Sequence, residues 1–227
     1  MIDVLVLAAH PDDEVLGCGG SIARMAAEGR SVNVAILGEG GASRHAAGSP
    51  AGAADVAALR QCSREAARIL GVREVVHCGL ADNRFDSLDL LDVVKIVEDL
   101  AERLDPEVVL VQHGGDLNRD HELTFRAAMT AFRPLPGTRA REVRAFEVAS
   151  SSEWAFGKFC PAFVPDTFVD VSEFLATKLD ALRAYGSELR SFPHPRSIRA
   201  VESQAANRGA CVGVAAAEAF QTIWRRI

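Results

Sequence analysis

The sequence predicts an α/β fold built around a mostly parallel sheet, and two observations carry this prediction. Short apolar runs rich in β-branched residues alternate with amphipathic helical patterns through the first 150 residues, which is typical of parallel strands joined by right-handed helical crossovers. The strand-like runs are apolar without a break, as expected for strands covered on both faces. We therefore expect a Rossmann-like three-layer sandwich whose functional side chains lie at the C-terminal ends of the strands.

Each element is predicted from its own pattern. The expected strands are apolar segments at residues 3–9, 31–37, 73–79, 106–113, 143–149 and 167–171. The expected helices have apolar residues on one face, at residues 21–29, 53–70, 87–104, 122–132, 171–184 and 197–208. Residues 217–227 fit a helix and a strand equally well. We expect one domain over residues 1–227, with a Rossmann-like core over about 1–150 and a C-terminal part over about 151–227 that completes the pocket.

The composition argues against several classes of protein. A net charge of −6 disfavours a broad nucleic-acid or anionic-membrane surface. No apolar run reaches the roughly 20 residues that span a bilayer, and the N-terminus "MIDVLVLAAHPDDE" lacks the basic region of a signal peptide. The five cysteines are widely spaced and form no CxxC pair, so neither a disulfide framework nor a thiolate zinc site is expected. We expect a cytoplasmic protein.

Polar side chains follow four of the predicted strands, at the point where each strand ends. They are His10, Asp12, Asp13 and Glu14 after the first strand, residues 38–44 after the second, Asp82, Asn83 and Arg84 after the third, and His113, Asp116, Asn118, Asp120 and His121 after the fourth. Because these ends meet at one edge of a parallel sheet, the four loops deliver the groups to one place. Three carboxylates and an imidazole at the end of a buried strand require a positive charge nearby, and a metal ion is the candidate.

Two imidazoles and a carboxylate are a common ligand set for catalytic zinc. His10 and Asp13 can reach one ion from a tight turn, and His121 comes from the loop after the fourth strand, near a helix start. Asp12 cannot point at the same ion as its neighbour Asp13, so it is free to act as a base on water. The alternatives are a histidine that caps a strand end and a pair of acids at a helix N-terminus. The combination of "HPDDE" with "DLNRDH" makes these alternatives weaker.

Both segments resemble known motifs. "AAHPDDEVLGCGG" resembles the signature of the PIG-L or LmbE-like family of zinc-dependent N-acetylglucosaminyl deacetylases, and "HGGDLNRDHELTF" resembles that family's second metal motif. The similarity extends over most of the chain, including "REAARILGV", "ADNRFDS" and "PHPRSIRAVESQAANRG". The resemblance implies a zinc site formed by His10, Asp13 and His121. It also implies that Asp12 is the general base.

The chain departs from the family at one position that matters for the chemistry. Many members have a histidine three residues before the last ligand, whereas this chain has Asn118. An amide can donate a hydrogen bond to an oxyanion but cannot act as a cationic acid. The acid that protonates the leaving amine is therefore left open, since either Asp12 or His194 in "FPHPRS" can supply the proton.

Other polar residues are expected to contact the substrate or to support the ligands. The residues expected to bind substrate are Arg44, Asp82, Asn83, Asn118 and Arg196. The resemblance implies that the loop carrying Arg44 helps form the substrate pocket. The alternatives for these residues are solvated loop side chains, turns and helix caps. His113 and Asp120 are expected to support a ligand imidazole through a hydrogen bond, and Asp120 fits a helix cap equally well.

The resemblance implies hydrolysis of an N-acetyl amide on an amino sugar or glycoconjugate, giving acetate and a free amine. The alternatives are an amidase that acts on a larger glycosyl or thiol conjugate, and a non-catalytic sugar-binding relative. A dinucleotide-binding oxidoreductase is the weakest alternative, because the "GCGG" segment lacks GxGxxG spacing. Zinc is the expected cofactor, although Fe²⁺ or another divalent ion also suits an N2O ligand set. The expected partner is a small N-acetylated amino sugar, with no nucleic acid or membrane, and homo-oligomerisation is left open.

Overall fold

The computed structural model describes residues 3–41, 43, 45–46, 49–159 and 161–227. The strands are β1 (Asp3–Ala8), β2 (Ser31–Gly38), β3 (Glu74–Leu80), β4 (Val108–Gln112), β5 (Glu142–Phe146), β6 (Thr167–Asp170) and β7 (Ala217–Arg225). The α-helices are α1 (Asp13–Ala27), α2 (Pro50–Leu70), α3 (Leu90–Leu104), α4 (Arg119–Ala131), α5 (Leu175–Ala184) and α6 (Ile198–Ala210). Short 3₁₀ helices cover Phe85–Ser87 and Glu153–Ala155.

One seven-stranded sheet runs through the molecule in the order β3-β2-β1-β4-β5-β7-β6. The strands β1 to β5 are parallel, β7 pairs antiparallel with β5, and β6 pairs antiparallel with β7. The strand order reverses at β1, so the crossovers that follow β1 and β4 leave in opposite directions. A sheet of this kind has a crevice at that point, beyond the C-terminal ends of the two strands. The predicted α/β fold with a mostly parallel sheet is confirmed.

The uninterrupted apolar run of β1 follows from its place between two layers of helices. Val4 and Val6 belong to a core cluster that includes side chains of α1, α2 and α5. Leu5 and Leu7 belong to the other large cluster, which includes side chains of α3 and α4. Successive side chains of a strand point to opposite faces, so every position is apolar when both faces are covered.

Helix α1 begins earlier than predicted. The sequence pattern predicts a helix from residue 21, after a glycine segment, whereas α1 starts at Asp13. The backbone leaves helical geometry at Cys18, where φ is −143°, so the glycine segment forms a break between two helical parts. A Cβ atom at Gly17 would lie 2.1 Å from the ring of Phe146. Glycine is required there because the helix packs directly on an aromatic ring.

A buried ion pair from the C-terminal part of the chain forms hydrogen bonds with the free backbone groups at the break in α1. The Glu218 carboxylate accepts the N–H groups of Gly20 at 2.9 Å and Ser21 at 2.6 Å, which are donors without a partner in the second helical part. Lys178 donates to Glu218 at 2.6 Å and to the Leu16 carbonyl at 2.9 Å. Lys178 is 3% and Glu218 4% exposed, so this pair joins α1, α5 and β7 in the interior.

The C-terminal segment, whose sequence fits a helix and a strand equally, is strand β7. It lies between β5 and β6 and is antiparallel to both. Residues 217–220 are buried. The strand satisfies backbone groups on both neighbours, which a helix at this place would leave without partners.

Three expectations concern other parts of the chain. Among the described residues, no helix has the length and apolar character that a bilayer span needs. The four described cysteines, at positions 18, 62, 78 and 211, are free thiols. Cys160 and Arg44 lie outside the described residues, so the substrate contact expected of Arg44 stays a prediction.

Candidate active site

A tight turn after β1 presents the first group of functional side chains. The chain leaves the strand at Ala8 and enters α1 at Asp13. The Asp13 carboxylate accepts the backbone N–H of His10 at 2.8 Å, which closes the turn. Asp12 has a φ of +102°, a conformation that costs a non-glycine residue about 1–3 kcal/mol. This conformation separates the two neighbouring acids, which contact different partners.

His10, Asp13 and His121 form a cluster with metal-ligating geometry. Their ligand atoms all lie within 4.8 Å of one another. The Asp13 carboxylate lies 3.6 Å from His10 Nδ1 and 3.3 Å from His121 Nε2. His121 lies in the first turn of α4, which begins at Arg119 rather than at the predicted residue 122. A helix, rather than a loop, therefore holds the backbone of this histidine.

In His10 and His121, the nitrogen that faces Asp13 is called the inner nitrogen and the opposite one the outer nitrogen. A carboxylate contacts the outer nitrogen of each imidazole. Asp120 lies 3.0 Å from His10 Nε2, and Asp116 lies 2.9 Å from His121 Nδ1. An ionised carboxylate only accepts hydrogen bonds, so each outer nitrogen carries a proton and each inner nitrogen is the one that can act as a ligand. Such carboxylate–histidine pairs are typical of metal sites in proteins.

Both outer carboxylates are themselves held by further hydrogen bonds. The second oxygen of Asp116 accepts the Ser152 hydroxyl at 2.5 Å. The second oxygen of Asp120 accepts the Phe85 backbone N–H at 3.1 Å. The imidazoles are therefore oriented by buried groups that do not depend on a ligand, and such support keeps a metal site in its productive geometry.

The charges of this cluster favour a cation at its centre. Burial opposes protonation of His121, but the carboxylates of Asp13 and Asp116 outweigh it and raise the pKa of His121 to about 10. Burial alone would raise the pKa of Asp13, whereas the imidazoles of His121 and His10 lower it to about 2. Imidazole nitrogens that face a buried carboxylate need a proton or a metal ion between them. Two nitrogens and one carboxylate oxygen fit Zn²⁺, and three protein ligands are typical of its catalytic sites.

The variant Asp116→Asn tests whether the outer carboxylates strengthen metal binding. The asparagine oxygen can still accept a hydrogen bond from the His121 Nδ1–H but carries no charge, so we expect the zinc affinity to fall about 10- to 100-fold. Competition with a chromophoric chelator measures this affinity. The control is Asp105→Asn, which removes a carboxylate that is 65% exposed and precedes β4 at the opposite edge of the sheet. Equal zinc affinities in the two variants would contradict the assignment.

Asp12 lies beside the cluster in surroundings suited to a base. Its carboxylate lies 3.2 Å from Arg196 Nη1, and the same nitrogen lies 3.4 Å from Glu188. Burial, reinforced by the charge of Asp13, raises the pKa of Asp12 well above its usual range, and the charge of Arg196 opposes this increase. A carboxylate with a raised pKa is a more effective proton acceptor near neutral pH.

Asp12 and the cluster line a cavity of about 250 Å³ at the C-terminal edge of the sheet. Four residues of its wall form a chain of hydrogen bonds. Asn118 accepts the Asp120 backbone N–H at 2.9 Å and donates to the Asn83 side chain at 3.2 Å. Asn83 donates to Asp82 at 3.1 Å and to Ser43 at 3.3 Å. The structure thus places Asp82, Asn83 and Asn118 together on one wall, and Arg196 also lines this cavity.

His194 lies on the same loop as Arg196 but takes a different position. Among the described residues that line the cavity, Arg196 is present and His194 is not. The His194 Nδ1 atom accepts the Arg196 backbone N–H at 3.0 Å, and its ring packs edge-on against Trp154. Burial, together with the charge of Arg196, lowers the pKa of His194.

His113 is placed differently from the expectation. Its backbone N–H bonds to the Phe146 carbonyl at 2.8 Å, so it extends the pairing of β4 with β5. Its Nε2 atom lies 2.8 Å from the Pro161 carbonyl and its ring packs against Phe163. The support for a ligand imidazole that was expected of His113 comes instead from Asp116, which lies on the turn into α4.

The contacts that some residues make around the site have no signal in the sequence. Asp116 is one of the polar residues after the fourth strand, but its spacing of five from His121 fits neither a helix face nor a strand face. Ser152 and Glu188 come from loops far along the chain. Only the fold brings Ser152 to Asp116, which is 36 residues away, whereas Glu188 lies eight residues before its partner Arg196.

Known proteins are similar to this chain in sequence and in fold. The PIG-L family profile, described as GlcNAc-PI de-N-acetylase, matches residues 5–132. The uncharacterized deacetylase YaiS of Escherichia coli K12 is 30% identical, over 81% of this chain and 90% of that protein. The 1D-myo-inositol 2-acetamido-2-deoxy-alpha-D-glucopyranoside deacetylase of Actinosynnema mirum is 30% identical, over 82% of this chain and 80% of that protein.

One solved structure with the same fold is named for an activity other than deacetylation. The crystal structure of GalB, the 4-carboxy-2-hydroxymuconate hydratase of Pseudomonas putida KT2440, has a TM-score of 0.80 and 25% identity. The alignment covers 100% of this chain and 98% of that one. The fold by itself therefore does not decide the reaction, and the residues of the site must do so.

Proposed function

This chain belongs to the PIG-L family, and we propose that it is a zinc-dependent hydrolase that removes the acetyl group from an N-acetylated amino sugar or glycoconjugate. The products are acetate and a free amine. One observation carries the proposal. Two histidines have carboxylates on their outer nitrogens and face Asp13 with their inner nitrogens, directly beside the buried acid Asp12.

The proposed metal ligands are His10, Asp13 and His121, whose inward-facing atoms converge. The chemistry that a bound zinc ion supplies is activation of water and polarisation of the acetyl carbonyl. Asp12 accepts a proton from the attacking water. Arg196 contacts the Asp12 carboxylate at 3.2 Å and holds it in place for this transfer.

Asn118 is the proposed hydrogen-bond donor to the acetyl oxygen. Its side-chain oxygen accepts the Asp120 N–H, which fixes the orientation of the amide. One of its two N–H groups donates a hydrogen bond to the Asn83 side-chain oxygen. The second can donate to the acetyl oxygen, which gains negative charge as water attacks. This contact replaces the histidine that many family members have at the position.

The leaving amine needs a proton when the C–N bond breaks, and Asp12 is the proposed source. Asp12 has just received a proton from water, and it lines the cavity. His194, the other candidate, accepts a hydrogen bond from Arg196 and packs on Trp154. Its lowered pKa leaves less of the protonated form near neutral pH.

The proposed substrate is an N-acetylated glucosamine unit, free or linked to a larger group. The cavity volume of about 250 Å³ is small for a ligand pocket, so one sugar ring enters and the remainder of a conjugate stays outside. Asp82, Asn83 and Arg196 are the proposed contacts to sugar hydroxyls, with Arg44 from the neighbouring loop. The Actinosynnema mirum relative is named for a substrate of this kind.

A hydratase like GalB is the second candidate function, because its structure is similar over the whole chain. The charges of the cavity disfavour it. Asp12, Asp82 and Glu188 line the cavity, and the only lysine or arginine among its described lining residues is Arg196. Arg196 already contacts two of these acids. These acidic side chains repel the tricarboxylate for which GalB is named and do not repel an uncharged acetamido sugar, which favours the deacetylase.

The test is acetate release from a panel of N-acetylated amino sugars, glycosides and nucleotide sugars. Metal-free protein is assayed with no addition, with Zn²⁺ and, without oxygen, with Fe²⁺. We expect acetate release that depends on the added ion, because the three ligands alone do not activate water. The panel includes larger glycosyl and thiol conjugates, so an amidase preference appears as activity on those compounds alone.

Two results would contradict the proposal. A protein that binds zinc tightly but releases no acetate from any compound would indicate a non-catalytic sugar-binding relative. A protein that binds no divalent ion would remove the basis of the proposed chemistry. Hydration of 4-carboxy-2-hydroxymuconate, an unsaturated tricarboxylate, would favour the second candidate and is measured by loss of its ultraviolet absorbance.

A further inference from the structure

We propose that Glu14, held by Tyr185, is a positioning residue that keeps Asp12 directed into the cavity. The inference rests on the proposed function, in which Asp12 is the base. It assigns a task to the last acid of "HPDDE", which has no part in the chemistry above. Glu14 is only 3% exposed, and a carboxyl group is buried at a cost unless its oxygens are bonded.

The backbone N–H of Asp12 needs a side-chain acceptor, because no backbone carbonyl of helix α1 is its partner. With φ +102° and ψ −26°, Asp12 has a conformation that residues other than glycine rarely adopt. Its carbonyl accepts the N–H groups of Val15 and Leu16 at 3.0 and 2.9 Å. Its own N–H has no partner within the helix and donates to Glu14 Oε2 at 3.2 Å. Glu14 therefore bonds the one peptide group whose conformation sets the direction of the base.

The second oxygen of Glu14 is held from a distant part of the chain. Tyr185, just after α5, donates its hydroxyl to Glu14 Oε1 at 2.6 Å, across 171 residues of sequence. Its ring is fully buried in the core cluster between the sheet and α1, α2 and α5, so close packing sets the position of the hydroxyl. A segment that also carries Arg196 thus reaches Asp12 twice, once through Glu14 and once directly.

A simpler explanation of Glu14 is that an acid in the first turn of a helix is favoured by the helix dipole. That explanation suits an exposed acid, and it does not account for burial with both oxygens bonded. The two explanations differ in their consequence for Tyr185. Loss of its hydroxyl changes only stability if Glu14 serves the helix dipole, but it changes kcat if Glu14 positions the base.

The test compares Glu14→Ala, Glu14→Gln and Tyr185→Phe in the zinc-loaded full chain. The substrate is the N-acetyl sugar that the unmodified protein hydrolyses fastest in the acetate panel. Because a small misplacement of a catalytic group costs about 100-fold, we expect kcat to fall about 100-fold in Glu14→Ala and about tenfold in Tyr185→Phe. KM and zinc stoichiometry are expected to stay unchanged, because the hydrogen bonds that join Glu14 to Asp12 and Tyr185 do not include the three proposed zinc ligands.

Glu14→Gln is the conservative variant. Its amide oxygen can accept the Asp12 N–H and its amide group can donate to the Tyr185 oxygen, so we expect kcat within about threefold of the unmodified protein. The matched control is Glu142→Gln. Glu142 is also buried, at 7% exposure, but it pairs with Arg144 at the start of β5, away from the cavity. This control is expected to lose stability in thermal unfolding and to keep kcat.

A second readout does not depend on activity. Hydrogen exchange of the Asp12 amide, followed by NMR, is expected to be slow in the unmodified protein and faster in Glu14→Ala and Tyr185→Phe.

Unchanged kcat and unchanged Asp12 exchange in Tyr185→Phe would overturn the proposal, even if Glu14→Ala fails to fold. Equal losses of kcat in Glu14→Gln and Glu14→Ala would also overturn it, because the charge of Glu14 would then matter rather than its bonds. An unmodified protein without hydrolysis would reject the proposed function, and the exchange data would still decide the positioning.

Discussion

Asparagine in place of Asp12 is expected to lower kcat about 10²- to 10⁴-fold, the usual cost of losing a general base, while the protein keeps its zinc. The proposed ligands His10, Asp13 and His121 are unchanged in this variant. The new side chain has the same size and can still accept a hydrogen bond from Arg196, which lies 3.2 Å from the native carboxylate. Acetate release and zinc content are measured on the same preparation, so that a loss of metal is not mistaken for a loss of the base.

The variant His194→Ala completes this comparison. It is expected to leave kcat unchanged, because in the proposed mechanism Asp12 returns the proton to the amine, and the His194 ring packs on Trp154. A large fall of kcat in His194→Ala would instead assign the proton of the amine to His194. Undiminished kcat in Asp12→Asn would contradict the assignment of the base itself.

Methionine in place of Lys178 is expected to lower the free energy of unfolding by about 3–5 kcal/mol, the usual cost of removing one partner of a buried ion pair. Methionine fills a similar volume, but it leaves the Glu218 carboxylate, 4% exposed, without a compensating charge. The Leu16 carbonyl also loses the donor that lies 2.9 Å from it. Urea denaturation, followed by far-ultraviolet circular dichroism, measures the change.

A double-mutant cycle identifies the ion pair as the cause. Glu218→Gln removes the other charge, and the combination with Lys178→Met is expected to be less destabilised than the sum of the single variants. The control is Lys95→Met, which breaks an exposed pair with Glu98 and is expected to cost at most about 1 kcal/mol. Additive effects in the double variant, or equal losses in the Lys178 and Lys95 variants, would show that the buried charges are not coupled.

The sequence predicts those parts of the fold whose cause is local. The order of strands and helices along the first 150 residues follows from alternating apolar patterns, and the structure has this order. The position at which α1 starts has a cause that is distant in the sequence. The glycines around Cys18 favour a loop, but Glu218 from β7 supplies acceptors for Gly20 and Ser21. A helix can therefore continue past the break, because a residue about 200 positions away bonds its free donors.

The same distinction applies to the candidate site. The "HPDDE" segment places His10, Asp12 and Asp13 in one turn, so their grouping can be predicted from the motif. The choice between His113 and Asp116 as the support for His121 depends on how β4 pairs with β5. That pairing is set by the whole sheet, and neither residue has a spacing that indicates it.

The proposed metal site of His10, Asp13 and His121 joins two segments that are distant along the chain, since His10 and the Asp120 that supports it are 110 residues apart. In the unfolded chain these segments are far from each other, so an ion binds the folded state and not the unfolded one. Each tenfold excess of free metal over its dissociation constant then adds about 1.4 kcal/mol to the free energy of unfolding. Under the proposed function, the supply of metal therefore sets the folding stability of the protein as well as its activity.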